Sequence, residues 1–390
     1  MKKTKRANGE GSIWTEVRNG RTYYRGASVV GYDLDGKPIR KTLGSFERQE
    51  VVKKLREMQV LVDKNLFIEP SKKPFADYFK DWIFNHKQSK IAASSFETYE
   101  SEYRLRIKDS KLGKIKMENL NVTNLQQYFN ELSAIYPVTT VQKSYDIVKY
   151  CLNYAEKVED IYKNPMKFVE IEKRRKTPPN RSMPMSASQQ KIFVKHLDND
   201  YYLDNFIYCA LATGGRLGEI TALSRDDLIG KIVHYNKQYR NIPHITSDGH
   251  RKWKKEITIP KSEKSNREVP ITDATLLIFN KQMQINKRMA NDPDNNFIDR
   301  NLIFCDENGN YIEKKRPARR VKAICKEIGL PPFTFHELRH SYATRLYEQG
   351  VPIRTIQLLL GHEDIRTTEI YVTVLDDPKR SAVSMLDGII

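Results

Sequence analysis

Apolar and polar positions alternate through SIWTEVRNGRTYYRGASVVGYDLDGKPIRKTLG, and the dipeptides Asn19-Gly20 and Asp35-Gly36 interrupt the alternation. A period of two, broken by residues that tolerate positive φ, predicts three strands joined by tight turns. The next stretch, SFERQEVVKKLREMQVLVDKN, keeps Val51, Leu55, Met58 and Leu61 or Val62 on one face. With Ser45 as N-cap it predicts a helix that backs the sheet. Residues 1–65 thus read as an α+β module, a three-stranded sheet plus one helix.

From about Pro74 to Glu170 the period lengthens to three and four. The segments FADYFKDWIFNHK, SSFETYESEYRLRI, VTNLQQYFNEL and TTVQKSYDIVKYCLNYAEKV each carry an apolar stripe; in the last it runs through Val141, Tyr145, Val148, Leu152 and Ala155. Ser94 and Asn121 are the expected N-caps, and an all-α four-helix bundle over residues 73–171 is the expected result. Residues 172–186, EKRRKTPPNRSMPMS, are too polar to pack and too rich in proline to continue a helix, so they read as a linker. Residues 187–390 are mainly helical, with two β-rich runs, Ile257 to Ile259 and Glu268 to Ile271, around a polar turn. These predict a hairpin with Lys261 near its tip. The fold class is multidomain: an α+β sheet-plus-helix module, a helical bundle, and a mainly α C-terminal domain with a small β-hairpin.

Charge changes the picture more than length does. Lys and Arg number 67 against 49 Asp and Glu, a net +18 spread along all 390 residues, with 15 against 8, a net +7, in residues 1–65. Such a field favours a polyanionic partner, nucleic acid above all. Lys173, Arg174, Arg175 and Lys176 in the linker are candidate contacts to a DNA backbone. Cys151, Cys209, Cys305 and Cys325 form no C-x-x-C pair and read as reduced core residues of a cytoplasmic protein. No apolar run approaches the ~20 residues of a membrane span, so a membrane partner is not expected.

The segment FHELRHSYAT spells H-E-x-x-H with His336, Glu337 and His340, the zinc-peptidase signature. Zinc would take both histidines, with Glu337 as base and Glu363 as the nearest third ligand. Arg339 opposes that reading, because offsets of three and four put its guanidinium on the arc of the two histidines, facing the metal's own charge. The same arc suits a phosphate, for which Arg is a planar fork of donors and His donates or shuttles a proton. Other groups at usable positions strengthen the phosphate reading. Arg216 follows a Gly pair in LATGGRLGEI, with Glu219 three residues on to buttress it; His362 follows Gly361 at a helix end, and Tyr371 lies nine residues further. Singly each has a bland explanation, but the ordered series Arg216, Lys261, His336, Arg339, His362, Tyr371 does not.

That series resembles the catalytic signature of the tyrosine recombinases, the lambda-type phage integrase family, as found in phages and conjugative transposons. GGRLGE is similar to the box of the first arginine, IPKSEKSNREVPI to the lysine hairpin, HELRHSYAT to the His-x-x-Arg box, and LLGH to the box that precedes the nucleophile. The resemblance implies Arg216, Lys261, His336, Arg339 and His362 as catalytic residues, Tyr371 as nucleophile and Glu219 as support. It implies an arm-type DNA-binding domain over 1–65, a core-binding domain over 73–171 and a catalytic domain over 187–390. It further implies site-specific cutting and rejoining of double-stranded DNA at core crossover and arm-type sites through a 3′-phosphotyrosine, for integration and excision. No metal or cofactor enters, a homo-tetramer assembles on DNA, and an accessory bending or excision factor takes part. The enzymatic alternative is a type IB topoisomerase-like strand cutter, and the alternative of another class is a non-catalytic DNA-binding regulator. Apolar residues beyond Pro378 are expected to bury themselves either in cis or in a neighbouring protomer.

Overall fold

The computed structural model describes residues 12–32, 35–64, 67, 70–172, 184–259 and 263–369. Lys173, Arg174, Arg175, Lys176, Lys261, Tyr371 and the apolar C-terminal stretch lie outside them. The chain divides into two compact units, Met1–Arg175 and Lys176–Ile390.

In the first unit the strands β1 (Ser12–Arg18), β2 (Arg21–Tyr32) and β3 (Pro38–Ser45) form an antiparallel sheet in the order β1-β2-β3. Asn19-Gly20 makes the first turn with φ of 49° and 73°, the left-handed pair that a two-residue hairpin requires. Helix α1 (Arg48–Asp63) turns Val51, Leu55 and Met58 onto Ile13, Tyr24, Val30 and Leu43 of the sheet. The expected cap is displaced: Glu47 precedes the helix, while Ser45 ends β3 and its hydroxyl accepts from the Glu47 N–H at 3.2 Å. Strand pairing holds Ser45, so the helix starts two residues later.

The all-α part comprises α2 (Phe75–Asp81), α3 (Ala93–Glu102), the short α4 (Lys111–Lys114), α5 (Val122–Ile135) and α6 (Val138–Lys157). Asn121 caps α5 through a reciprocal pair with Asn124, whereas α3 begins at Ala93 with Ala92 at the cap, two residues before the expected Ser94. The α6 stripe faces inward: Val148, Leu152 and Ala155 are fully buried, together with Phe75, Phe79, Ile83 and Phe129. Each such Phe or Leu contributes about 1.5–3 kcal/mol.

The second unit is built on α8 (Tyr202–Thr213), which follows α7 (Ala187–Lys195); ten of the twelve α8 residues are buried, and its polar ones are paired. Asp204 takes both arms of Arg320 at 2.7 and 2.8 Å, and Asn205 donates to Gln282 at 2.9 Å. After the one-turn α9 (Leu217–Thr221) come β4 (Leu228–Ile229), β5 (Ile232–Tyr235), β6 (Gln238–Ile245), β7 (Arg251–Thr258) and β8 (Arg267–Pro270). Helices α10 (Asp273–Asn291), α11 (Lys315–Glu327), α12 (Phe335–Glu348), α13 (Ile353–Leu360) and α14 (Arg366–Glu369) follow.

The two β-rich runs do not form the expected hairpin with each other. The run Ile257 to Ile259 does not pair with Glu268 to Ile271: β7 pairs with β6, Tyr239 opposite Ile257, while β8 pairs with β5 in a second sheet ordered β4-β5-β8. The β6–β7 hairpin turns instead at Thr246–His250, where Thr246 and His250 exchange a backbone hydrogen bond of 3.0 Å. Val233 and Val269, directly opposite each other, are both fully buried, so β8 gains a core by pairing with β5. No helix of the described residues is long and apolar enough to cross a membrane.

Candidate active site

Two helix ends build the site. Helix α8 stops at Gly214 and α13 at Gly361, each in the left-handed conformation with φ of 64° and 63°. A Cβ on Gly214 would lie 2.5 Å from Cδ1 of Tyr342, and one on Gly361 2.7 Å from the carbonyl of Lys264, so only glycine closes these ends as packed. Their last carbonyls carry the negative end of the helix dipole and lack intrahelical donors. Arginines supply the missing donors. Arg339, 2% exposed, donates from Nη1 to Gly214 O and from Nη2 to Leu360 O, both at 2.6 Å. Arg216 donates from Nη2 to Gly361 O at 3.2 Å.

Arg216 caps α9, and Glu219 holds it twice: Oε2 accepts its backbone N–H at 2.8 Å and Oε1 accepts Nη1 at 2.7 Å. The same carboxylate, 3% exposed, accepts Nη1 and Nη2 of Arg267 at 3.1 and 2.8 Å. Burial pushes the Glu219 pKa up, but hydrogen bonds from Arg267 and the charges of Arg267 and Arg216 outweigh it and hold the carboxyl at about 2. Arg267 is itself anchored, donating from Nε to Leu359 O at 2.7 Å with its guanidinium 4.6 Å above the centre of the Tyr235 ring. The half of Arg216 not used by these bonds reaches solvent, with 35% of its side chain exposed.

Helix α12 starts with a capping box in which the Glu337 side chain accepts the Thr334 N–H. This bears on the zinc signature, because the carboxylate that a peptidase would use as base is buried and turned back onto the helix cap. Arg339 fills the arc between the histidines, and among the described residues no group of three His, Cys, Asp or Glu is arranged to hold a metal ion. His336 is exposed, one turn before Arg339, with its ring centre 4.7 Å from that of His340. Desolvation by the atoms around it, then Arg339 and Arg216, lower its pKa.

His362 follows Gly361 and is 7% exposed. Its backbone N–H donates to Gln357 O at 3.1 Å, and its Nδ1 lies 2.9 Å from Oγ1 of the buried Thr368. Burial, then Arg339, Arg216, Arg267 and His336, bring its pKa down to about 3. Both imidazoles are therefore neutral near pH 7, and the positive charge of the site rests on the arginines. A cluster of anchored guanidinium groups with two neutral imidazoles beside them, Glu219 being spent on the arginines, is suited to a bound oxyanion.

Of the residues singled out in the sequence, Arg216, Glu219, His336, Arg339 and His362 lie within one electrostatic neighbourhood. Lys261 and Tyr371 fall outside the described residues; the former lies between β7 and β8, and the latter is two residues beyond the end of α14. Sequence reasoning missed Arg267 and Thr368. Arg267 left a signal, a charge on the inward, alternate positions of β8, whose burial pattern shares one face between Arg267 and Val269. Thr368 left none.

A model of the phage integrase family matches residues 184–377, and a model of the phage integrase N-terminal SAM-like domain matches residues 74–133. The chain is 28% identical over 383 residues to a tyrosine recombinase XerC-like protein of Caldanaerobacter subterraneus subsp. tengcongensis, covering 96% of this chain and 98% of the relative. It is 24% identical over 332 residues to the integrase of Staphylococcus phage L54a, covering 80% and 91%. In fold it is similar to the Tn1549 transposon integrase in complex with a circular intermediate DNA, with a TM-score of 0.65 at 18% identity over 82% of this chain and 100% of that one. It is also similar to a lambda integrase dimer bound to a COC′ core site, with a TM-score of 0.56 at 15% identity over 97% of each chain.

Proposed function

The chain belongs to the phage integrase family, the tyrosine recombinases, and from that premise we propose that Tyr371 attacks a phosphate of double-stranded DNA held by Arg216, Arg339 and His362. The protein is an integrase of phage or transposon origin, a DNA strand transferase. In the proposed step the Tyr371 oxygen bonds to phosphorus and the 5′ oxygen leaves. His336 takes the tyrosine proton and Lys261 gives one to the leaving oxygen. The 3′-phosphotyrosine keeps the bond energy, so another 5′ hydroxyl reverses the step without a nucleotide cofactor.

One observation carries this reading. Arg216 and Arg339 are fixed by the carbonyl ends of α8 and α13 and by Glu219 before any ligand arrives. Donors already in place stabilise developing charge without reorganising. The lowered pKa of His336 keeps that ring neutral and free to accept a proton, and a neutral His362 has an N–H to offer to a nonbridging oxygen.

The remaining parts follow the same reading. Residues 1–65 bind arm-type sites, 73–171 and 187–390 bind the core crossover site, and Lys173, Arg174, Arg175 and Lys176 in the linker 172–186 contact the DNA backbone. Four chains act on two duplexes, with an accessory bending or excision factor. The net charge of +18 supports a DNA partner. The test is a nicked suicide substrate resolved on a denaturing gel. The unmodified protein is expected to form a covalent adduct, with chelator present as well as without it, and Tyr371→Phe to bind the same DNA without forming one. An adduct from the Phe variant would assign the nucleophile elsewhere.

A further inference from the structure

We propose that Thr368 is a positioning residue that sets the hydrogen-bonding direction of His362 and ties it to the helix leading to the nucleophile. The inference rests on the reading of His362 as a donor to the phosphate. Thr368 is fully buried and His362 nearly so, and the two side chains meet at 2.9 Å through Oγ1 and Nδ1. The chain between them is folded tightly: Thr367 N–H donates to Asp364 O at 3.1 Å, and Thr368 N–H to Ile365 O at 2.7 Å. The contact is thus made inside one compact turn that joins α13 to α14.

A neutral imidazole has one N–H and one lone pair, and its neighbour decides which nitrogen carries which. If the Thr368 hydroxyl donates to Nδ1, the ring proton sits on Nε2, at the far end of the ring, as a donor. If the hydroxyl accepts, Nε2 presents a lone pair, which repels a phosphate oxygen. With Oγ1 placed against Nδ1, the hydroxyl donates there and holds the ring proton on Nε2 when an anion is bound, without moving any heavy atom. Arg339, Arg216, Arg267 and His336 also face this ring electrostatically, and the three guanidinium groups, being donors only, cannot accept from Nδ1. Thr368 also lies on α14, three residues before Tyr371 in the chain.

The test is single-turnover adduct formation by the full chain on the suicide substrate, set beside half-site binding and thermal unfolding. Thr368→Val keeps the shape and removes the hydroxyl, and is expected to slow cleavage by about tenfold with binding unchanged, the usual size of a lost buried hydrogen bond. Thr368→Ser is expected to restore most of the rate. In a His362→Ala background the Val substitution is expected to add less than about twofold, because residues acting as a unit are not additive. A merely structural Thr368 would instead show its full cost in both backgrounds, and that result overturns the inference, as does a Thr368→Val protein that cleaves at the original rate. Full cleavage by His362→Ala alone would remove the catalytic reading of His362 itself, an outcome distinct from a slow His362→Ala beside a fast Thr368→Val.

Discussion

Glu219→Gln keeps the shape of the side chain and deletes the charge that two arginines share. The carboxyl is 3% exposed and held at about 2, against an ordinary value of 4.5. At about 1.4 kcal/mol per unit, a depression of this size corresponds to roughly 3 kcal/mol of folding stability. The sign is that of a depressed acid: the contribution is complete above the unfolded value of 4.5 and is lost only as pH falls toward 2. The gap between the two proteins should therefore be constant from about pH 8 to 6. For a unit of this size, a loss of that order lowers the melting temperature by roughly 6–12 °C. The amide also turns an N–H toward guanidinium donors, leaving at least one of the four bonds from Arg216 and Arg267 unmade. Urea denaturation followed by hydrogen exchange of peptides from α8 and α9 isolates the unit concerned. Adduct formation is expected to fall with stability restored by cooling, because Arg216 loses its bidentate support. A stability gap under about 1 kcal/mol, or one that grows between pH 8 and 6, would refute the assignment of Glu219 as the shared charged anchor.

Three further outcomes follow from the geometry. Gly214→Ala forces a left-handed alanine against Tyr342 at 2.5 Å and should cost at least ~1–2 kcal/mol, together with cleavage, since the carbonyl that holds Arg339 moves; denaturant midpoints and the suicide substrate report both. His362, with its folded pKa at about 3 and an unfolded one near 6.5, takes up a proton mainly on unfolding, so its contribution is present above 6.5 and is lost as pH falls toward 3. At pH 5 the loss is about 2 kcal/mol, and the drop in stability between pH 7.5 and 5 should be smaller by that amount in His362→Gln. Deleting residues 1–65 should spare binding to a core crossover site and remove a second, sequence-distinct DNA affinity of the +7 module, with footprints before and after as the measurement.

What the sequence determined by itself was whatever depends on near neighbours. Alternation broken at Asn19-Gly20 was enough for a hairpin, and a three-and-four period for α1 and α6. The order Arg216, Glu219, His336, Arg339, His362 was legible as chemistry because Arg216 and His362 follow glycine bends, offsets of three set Glu219 beside Arg216 and Arg339 beside His336, and the ordered set resembles a known signature. Pairing at a distance was not legible. The two β-rich runs around Lys261 looked like each other's partners because they are close in the chain, yet their partners are β6 and β5, a choice made by packing and not by nearness in sequence. The cap expected at Ser45 slipped by two residues because a strand held that residue. The electrostatics of the site belonged wholly to the tertiary structure. Arg267 shares Glu219 across 48 residues of chain, Arg339 reaches Gly214 across 125, and the neutrality of His362 comes from burial and then from arginines on three other elements. Charges act through space and desolvation acts through packing, and neither is a function of sequence separation.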